Sequence, residues 1–120
     1  MALPRASRLR KNSDFQRVRQ QGRSTMSRLL ILAWIPNEQP RLRVGFVVSK
    51  RISKLAVERN YIKRLLSEAI RHTLPAIPGG WDIVLSARNP VTTADLHVLE
   101  QDIVTLLHRA RLLNSASSSS

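Results

Sequence analysis

The chain of 120 residues has no cysteine. That absence removes disulfides, thiolate catalysis and cysteine-ligated zinc together, and it agrees with a reducing cytoplasm. No apolar run approaches bilayer-spanning length, since the stretch from Leu29 to Ile35 is far too short. The Arg-rich start has no apolar segment and is not a secretory signal; its Arg and Ser content fits a transit peptide or an RNA-binding arm. There is no Gly-rich phosphate loop, nucleophile elbow, HExxH or internal repeat. His97 and His108 share a helix face at a separation too long for a metal pair, and with His72 they read as surface or partly packed histidines. Acids are scarce, eight Asp and Glu against 20 Lys and Arg, for a net charge of +12. Such a field attracts nucleic acid or anionic lipid.

The charge is unevenly placed. Residues 1–71 hold 17 Lys and Arg against four acids, and residues 72–120 hold three against four. The partner surface therefore belongs to the first three-fifths, and the rest reads as scaffold. Asp82, Asp95, Glu100 and Asp102 are numerous enough for a two-metal nuclease. They lie in the half without the basic field and read as solvated helix and strand charges.

One domain with a real core fits this length. Residues 1–12 read as a flexible basic arm, 13–113 as a single α+β domain, and 114–120 as a disordered Ser-rich tail. Ser13-Asp14-Phe15-Gln16 has the form of a capping box, and the helix after it should stop at Gly22. Leu29–Ile35 is apolar enough for a central strand. A short turn and a second strand, Leu42–Ser49, follow, which predicts an antiparallel hairpin. Gly45 inside that strand suggests a bulge or a close approach by another backbone. A long helix from about Ala56 ends before Pro75. A Pro/Gly linker leads to a third strand, Trp81–Ala87, which Asn89-Pro90 stops. Thr92 or Thr93 then caps a last helix with the stripe Leu96, Leu99, Ile103, Leu106, Leu107 and Ala110. The order is αββαβα, a small mixed sheet sandwiched with helices. If the strands flanking the long helix are parallel neighbours, that helix is a crossover.

The long helix sorts its residues onto two flanks. Ile62, Leu65, Leu66, Ala69 and Ile70 form a core-facing stripe. Arg59, Asn60, Lys63, Arg64, Ser67 and Arg71 fall on the neighbouring arc at 100° per residue. Only Glu58 and Glu68 oppose these cations, where a self-stabilising helix would interleave acids at i+4 along its length, and Lys50, Arg51 and Lys54 extend the field upstream. The pattern reads as a polyanion-binding face rather than a solvated one. RNA fits better than duplex DNA, because the basic helix follows a strand and has no helix-turn-helix partner. The Asn60 amide and the Tyr61 and Ser67 hydroxyls suit backbone and 2′-OH contacts. Phe15, on an Arg-studded helix, reads equally as a core ring or as a stacking platform for an unpaired base.

At this point the chain resembles a known family, the protein component of bacterial ribonuclease P. Arg59-Asn60-Tyr61-Ile62-Lys63-Arg64-Leu65 resembles its signature Arg-Asn-Arg-x-Lys-Arg-Leu. Arg43-Val44-Gly45-Phe46-Val47-Val48-Ser49-Lys50-Arg51 resembles the strand and basic lead-in. Leu9-Arg10-Lys11-Asn12-Ser13-Asp14-Phe15 resembles the opening Leu-x-Lys-x-x-Asp-Phe, and Asp82–Arg88 matches a later strand. The resemblance runs in order from residue 9 to about 112. It implies a ribosomal-protein-S5-domain-2-like fold. It also implies the protein subunit of an RNA-based endoribonuclease, a hydrolase that removes the 5′ leader from precursor tRNA. The partners it implies are the catalytic RNA and precursor tRNA, with no membrane and no required protein partner. The protein would bind no cofactor, and Mg²⁺ would serve the catalytic RNA. Carried over residue by residue, Lys50, Arg51, Arg59, Asn60, Lys63, Arg64 and Arg71 would contact RNA. Phe15 and Arg19 would line the leader cleft, and no residue of this chain would be catalytic. Tyr61 stands where the motif has its second Arg, Ser67 where a basic residue is common, and Arg19 where relatives often carry a second cleft aromatic. The alternative functions are a structural or ribosomal RNA-binding protein with no part in cleavage, a protein-only nuclease, and a membrane-surface basic helix.

Overall fold

The computed structural model describes residues 8–88 and 95–113. Its elements run α1 (Asn12–Gln21), β1 (Arg23–Met26), β2 (Leu30–Pro36), β3 (Arg43–Val47), α2 (Ala56–Arg71), β4 (Trp81–Ala87) and α3 (Leu96–Arg109), with a 3₁₀ turn at Leu74–Ala76. The class is α+β and the sheet is mixed, as the element pattern predicts. The sheet order is β1-β2-β4-β3. β4 runs antiparallel to β2 and parallel to β3, so α2 is the crossover between parallel neighbours.

Two features of the sheet differ from the sequence reading. β2 and β3 are not a hairpin, because β4 lies between them. β4 takes that place because Ile83, Val84 and Leu85 are all fully buried, an apolar run suited to a strand covered on both faces. The short loop from β2 strides over the start of β4 instead of turning back. The Asn37 N–H donates to the Gly80 carbonyl at 2.9 Å, and the Gly80 N–H donates to Arg41 at 3.2 Å. Gly80, at φ 92°, supplies the backbone angle this crossing needs. The other difference is β1, absent from the expected order. Its residues are mostly exposed and carry no apolar alternation, so only pairing with β2 makes it a strand.

The helices cover both faces. On one, Leu30, Leu32, Ile83 and Leu85 meet Leu66 and Ile70 of α2 and Leu99, Ile103, Leu106 and Leu107 of α3. On the other, α1 sets Val18 against Ala33 and Val84, with Phe15, Ile35 and Val47 around them. The α2 stripe is core as expected, though Leu65 is only half-buried. Leu9 joins the α1 side, 5 % exposed, and its N–H donates to the Val44 carbonyl at 3.0 Å.

That anchor moves the start of α1. The Lys11 carbonyl accepts from the Asp14 and Phe15 N–H groups, and the helix begins at Asn12 with no side-chain cap. Ser13 therefore sits inside the first turn, and the Ser13–Gln16 capping box is not the start. The fixed entry through Leu9 overrides the local cap signal. At α3 the cap is Asp95, whose Oδ1 accepts from the Val98 N–H at 3.0 Å. Thr92 and Thr93, the Asn89-Pro90 stop, residues 1–7 and the 114–120 tail lie outside the described residues.

Candidate nucleic-acid interface

The basic arc of α2 faces outward. Asn60, Lys63, Arg64 and Arg71 are exposed, Arg59 is half-buried, and Lys50 and Arg51 are exposed in the turn after β3. Arg59 folds back on that segment, with its Nη1 donating to the Ser53 carbonyl at 2.9 Å. The Ser53 hydroxyl accepts from the Leu55 N–H, which turns the chain into α2. Arg71 lies at the far end of the helix, about 18 Å along the axis from Arg59, and pairs with Glu68 at 3.4 Å. Ser67, assigned to the arc by its spacing, is buried at the base of a groove.

Two grooves meet at β3, the edge strand between α1 and α2. One, of about 440 Å³, includes Asn12, Phe15, Gln16 and Arg19 of α1 opposite Phe46 and Lys63. The other, of about 550 Å³, is lined by Arg8, Arg10, Phe15, Phe46, Lys63 and Arg64, among others. Phe15, Phe46 and Lys63 belong to both, so the surface is continuous. Phe15 reaches it because Gly45 leaves room: a β-carbon on Gly45 would stand 2.5 Å from two Phe15 ring carbons. Gly45 is thus a close approach, by a side chain and not a backbone, and β3 stays in register with β4 through it.

Of the residues expected to act, Phe15, Arg19, Lys63 and Arg64 converge here. Lys50, Arg51, Arg59, Asn60 and Arg71 line neither groove and lie on the flanks. Sequence reasoning missed Phe46, Arg8, Arg10 and Gln16. The one signal for Phe46 is its place beside Gly45, and that becomes meaningful only once β3 is known to be an edge.

Asp82 holds the frame of the cleft. It is wholly buried on β4, not a solvated strand charge as its position in the sequence suggested. Arg43 grips it with two donors at 2.9 and 2.7 Å, Arg17 of α1 donates at 2.7 Å, and the Asn37 amide donates at 2.9 Å. Burial pushes the carboxyl pKa up. The hydrogen bonds from Arg43 and Asn37 and the charges of Arg43 and Arg17 outweigh that and hold it below the ordinary carboxylate value. The same bond to Asp82 raises the Arg43 pKa. α1, β3, β4 and the loop after β2 are thereby tied at one point.

Among the described residues no three His, Asp or Glu side chains gather as a metal site, and no helix is long and apolar enough to cross a membrane. The arrangement offers cations for phosphates and two rings for bases.

Residues 3–111 match the family described as Ribonuclease P. The "Ribonuclease P protein component" of Chloroflexus aurantiacus is 45 % identical over 112 residues, covering 92 % of this chain and 82 % of that protein. The protein of the same name from Alkaliphilus oremlandii is 40 % identical over 110 residues, covering 92 % and 96 %. Among solved structures, the Staphylococcus aureus RNase P protein superimposes with a TM-score of 0.82 at 32 % identity, covering 92 % of this chain and all of that one. The Thermotoga maritima RNase P protein gives 0.75 at 28 % identity, covering 85 % and 96 %. With its basic helix, ring-lined cleft and mixed sheet, the chain belongs to the ribonuclease P protein component family, RNA-binding proteins of tRNA processing.

Proposed function

We propose that the chain is the protein subunit of a ribonucleoprotein endonuclease, and that it holds a catalytic RNA and the 5′ leader of precursor tRNA together during leader removal. One juxtaposition supports this: Lys63 of the basic helix lines both grooves together with Phe15 and Phe46. The α2 face, with Arg59, Asn60, Lys63 and Arg64, docks on the catalytic RNA, flanked by Lys50 and Arg51 at one end and Arg71 at the other. The single-stranded leader lies in the α1–β3 cleft, with Phe15 under a base and Arg19 on the backbone. Arg19 stands where a second ring is common, so grip here leans on charge. The obstacle is repulsion between two polyanions, and a surface this cationic offsets it. Mg²⁺ held by the RNA cuts the phosphodiester; this chain contributes no catalytic group, binds no cofactor and requires no further protein. The setting is the cytoplasm.

The test is reconstitution at low Mg²⁺ with a catalytic ribonuclease P RNA and precursor tRNA. Adding the chain should restore leader cleavage. If cleavage is not promoted, a structural RNA-binding role takes over. If the chain releases the leader with no catalytic RNA present, the cleavage chemistry belongs to the protein and the proposal fails.

A further inference from the structure

The two tryptophans of the chain stand side by side, away from Lys63 and the cleft. Trp34 of β2 pairs with Ile83, and Trp81 lies two residues before Ile83 on β4, so the two side chains are diagonal neighbours on the α3 face. Both are half-buried.

α3 ends beside them in a Schellman turn. The Arg111 N–H donates to His108 at 3.0 Å and the Leu112 N–H to Leu107 at 2.9 Å. The left-handed residue of this turn is Arg111, at φ 61°, where glycine is the unstrained choice. From the other side Gly22, at the exit of α1, packs so closely on the Trp34 carbonyl that a β-carbon there would collide with it. Arg23 follows. Arg23, Trp34, Trp81 and Arg111 thus line a groove of about 500 Å³, a size suited to a small ligand group. No carboxylate lines it among the described residues. Asp82, next to Trp81 in the chain, is turned to the opposite face, where it binds Arg17 and Arg43.

Further arginines stand along β1, where Asp102 also accepts from the Ser27 hydroxyl. Arg88 donates to the Ser27 carbonyl at 2.7 Å and Arg109 to the Met26 carbonyl at 3.1 Å. All three arginines beyond residue 72, which the sequence assigned to scaffold, therefore gather on the β1 side of the fold.

We propose that this groove is a second RNA site, taking one unpaired base against the tryptophans and its flanking phosphates on Arg23 and Arg111. Indole faces stack on any base, and guanidinium groups bind phosphate, so a single strand meets both requirements at once. A strained backbone position that carries an arginine in place of glycine points to a side chain with a task. Lys63, Phe15 and Phe46 are not part of this groove, so it operates whether or not the cleft holds a tRNA leader.

The groove contains both tryptophans, so their emission reports on it directly. Titrating the full chain with a short unstructured uridine oligonucleotide should quench that emission saturably. Arg111→Gly relieves the left-handed residue, so its thermal midpoint should hold or rise while affinity read by quenching falls severalfold. Arg23→Ala should weaken it further. Lys63→Ala with Arg64→Ala should leave the quenching in place. The proposal is overturned if the wild-type chain shows no quenching, or if Arg23→Ala with Arg111→Gly quenches normally. It is equally overturned if the Lys63 and Arg64 double variant loses the signal, which would place the oligonucleotide in the other groove. Leader cleavage is assayed separately, so this site and the cleft reading fail independently.

Discussion

The Phe15 ring occupies the space a side chain at Gly45 would need, with two ring carbons 2.5 Å from where a β-carbon would stand. One strand position without a side chain thus lets a helix on the sheet present a ring at the cleft. Gly45→Ala should therefore displace Phe15. The overpacking costs about 1–3 kcal/mol, against a propensity gain of roughly 0.5–1 kcal/mol for replacing glycine within a strand. Urea denaturation should show net loss of stability, and precursor tRNA with a leader should bind less well while leaderless tRNA is unaffected. Wild-type stability and leader affinity in Gly45→Ala would show that the ring is not held by this contact.

Asp82 makes the fold acid-sensitive. Its pKa is lowered in the folded chain, so its contribution is present above the unfolded value of about 3.9 and is lost as pH falls through the folded value. Removing one partner of a buried ion pair costs about 3–5 kcal/mol. Arg17 and Arg43 keep 34 % and 21 % of their side chains in water, which puts the cost of Asp82→Asn near the lower end. The stability gap between wild type and Asp82→Asn should be widest near neutral pH and shrink below about pH 4. A gap independent of pH would remove Asp82 from this account.

Lys63 is exposed and shared by both grooves, so its single charge should be felt wherever a strand lies along the cleft. Lys63→Ala should leave the thermal midpoint unchanged and flatten the slope of log affinity against log salt for precursor tRNA by roughly 0.7. Arg59→Ala with Lys63→Ala should flatten it further and weaken leader cleavage. Arg59 also holds the Ser53 carbonyl, so only that double variant should show some loss of stability. Wild-type salt behaviour in the double variant would exclude α2 from RNA binding.

Asp95 caps α3 through the Val98 N–H and lines none of the three grooves. Asp95→Ala should cost about 1 kcal/mol in denaturation and leave RNA affinity unchanged. A change in affinity without a change in stability would give Asp95 a different role.

Where a property is set by residues close in the chain, the sequence shows it. α2 begins at Ala56, and its buried stripe and exposed cations follow from spacing alone, because a 3.6-residue period is a local rule. The apolar runs of β2 and β4 announce strands for the same reason. Ser67 is the exception on α2: a residue at the border of the arc is buried or exposed according to what packs beside it.

The sequence by itself determined the class of partner, through a charge imbalance confined to residues 1–71, and the existence of the helix that carries it. Only the tertiary structure decided that β4 separates β2 from β3, that Asp82 is buried between Arg17 and Arg43, and that Arg111 returns to Trp34 and Trp81. Each of these depends on pairing between segments tens of residues apart. Such pairings are chosen by the burial of the whole sheet, not by any local pattern.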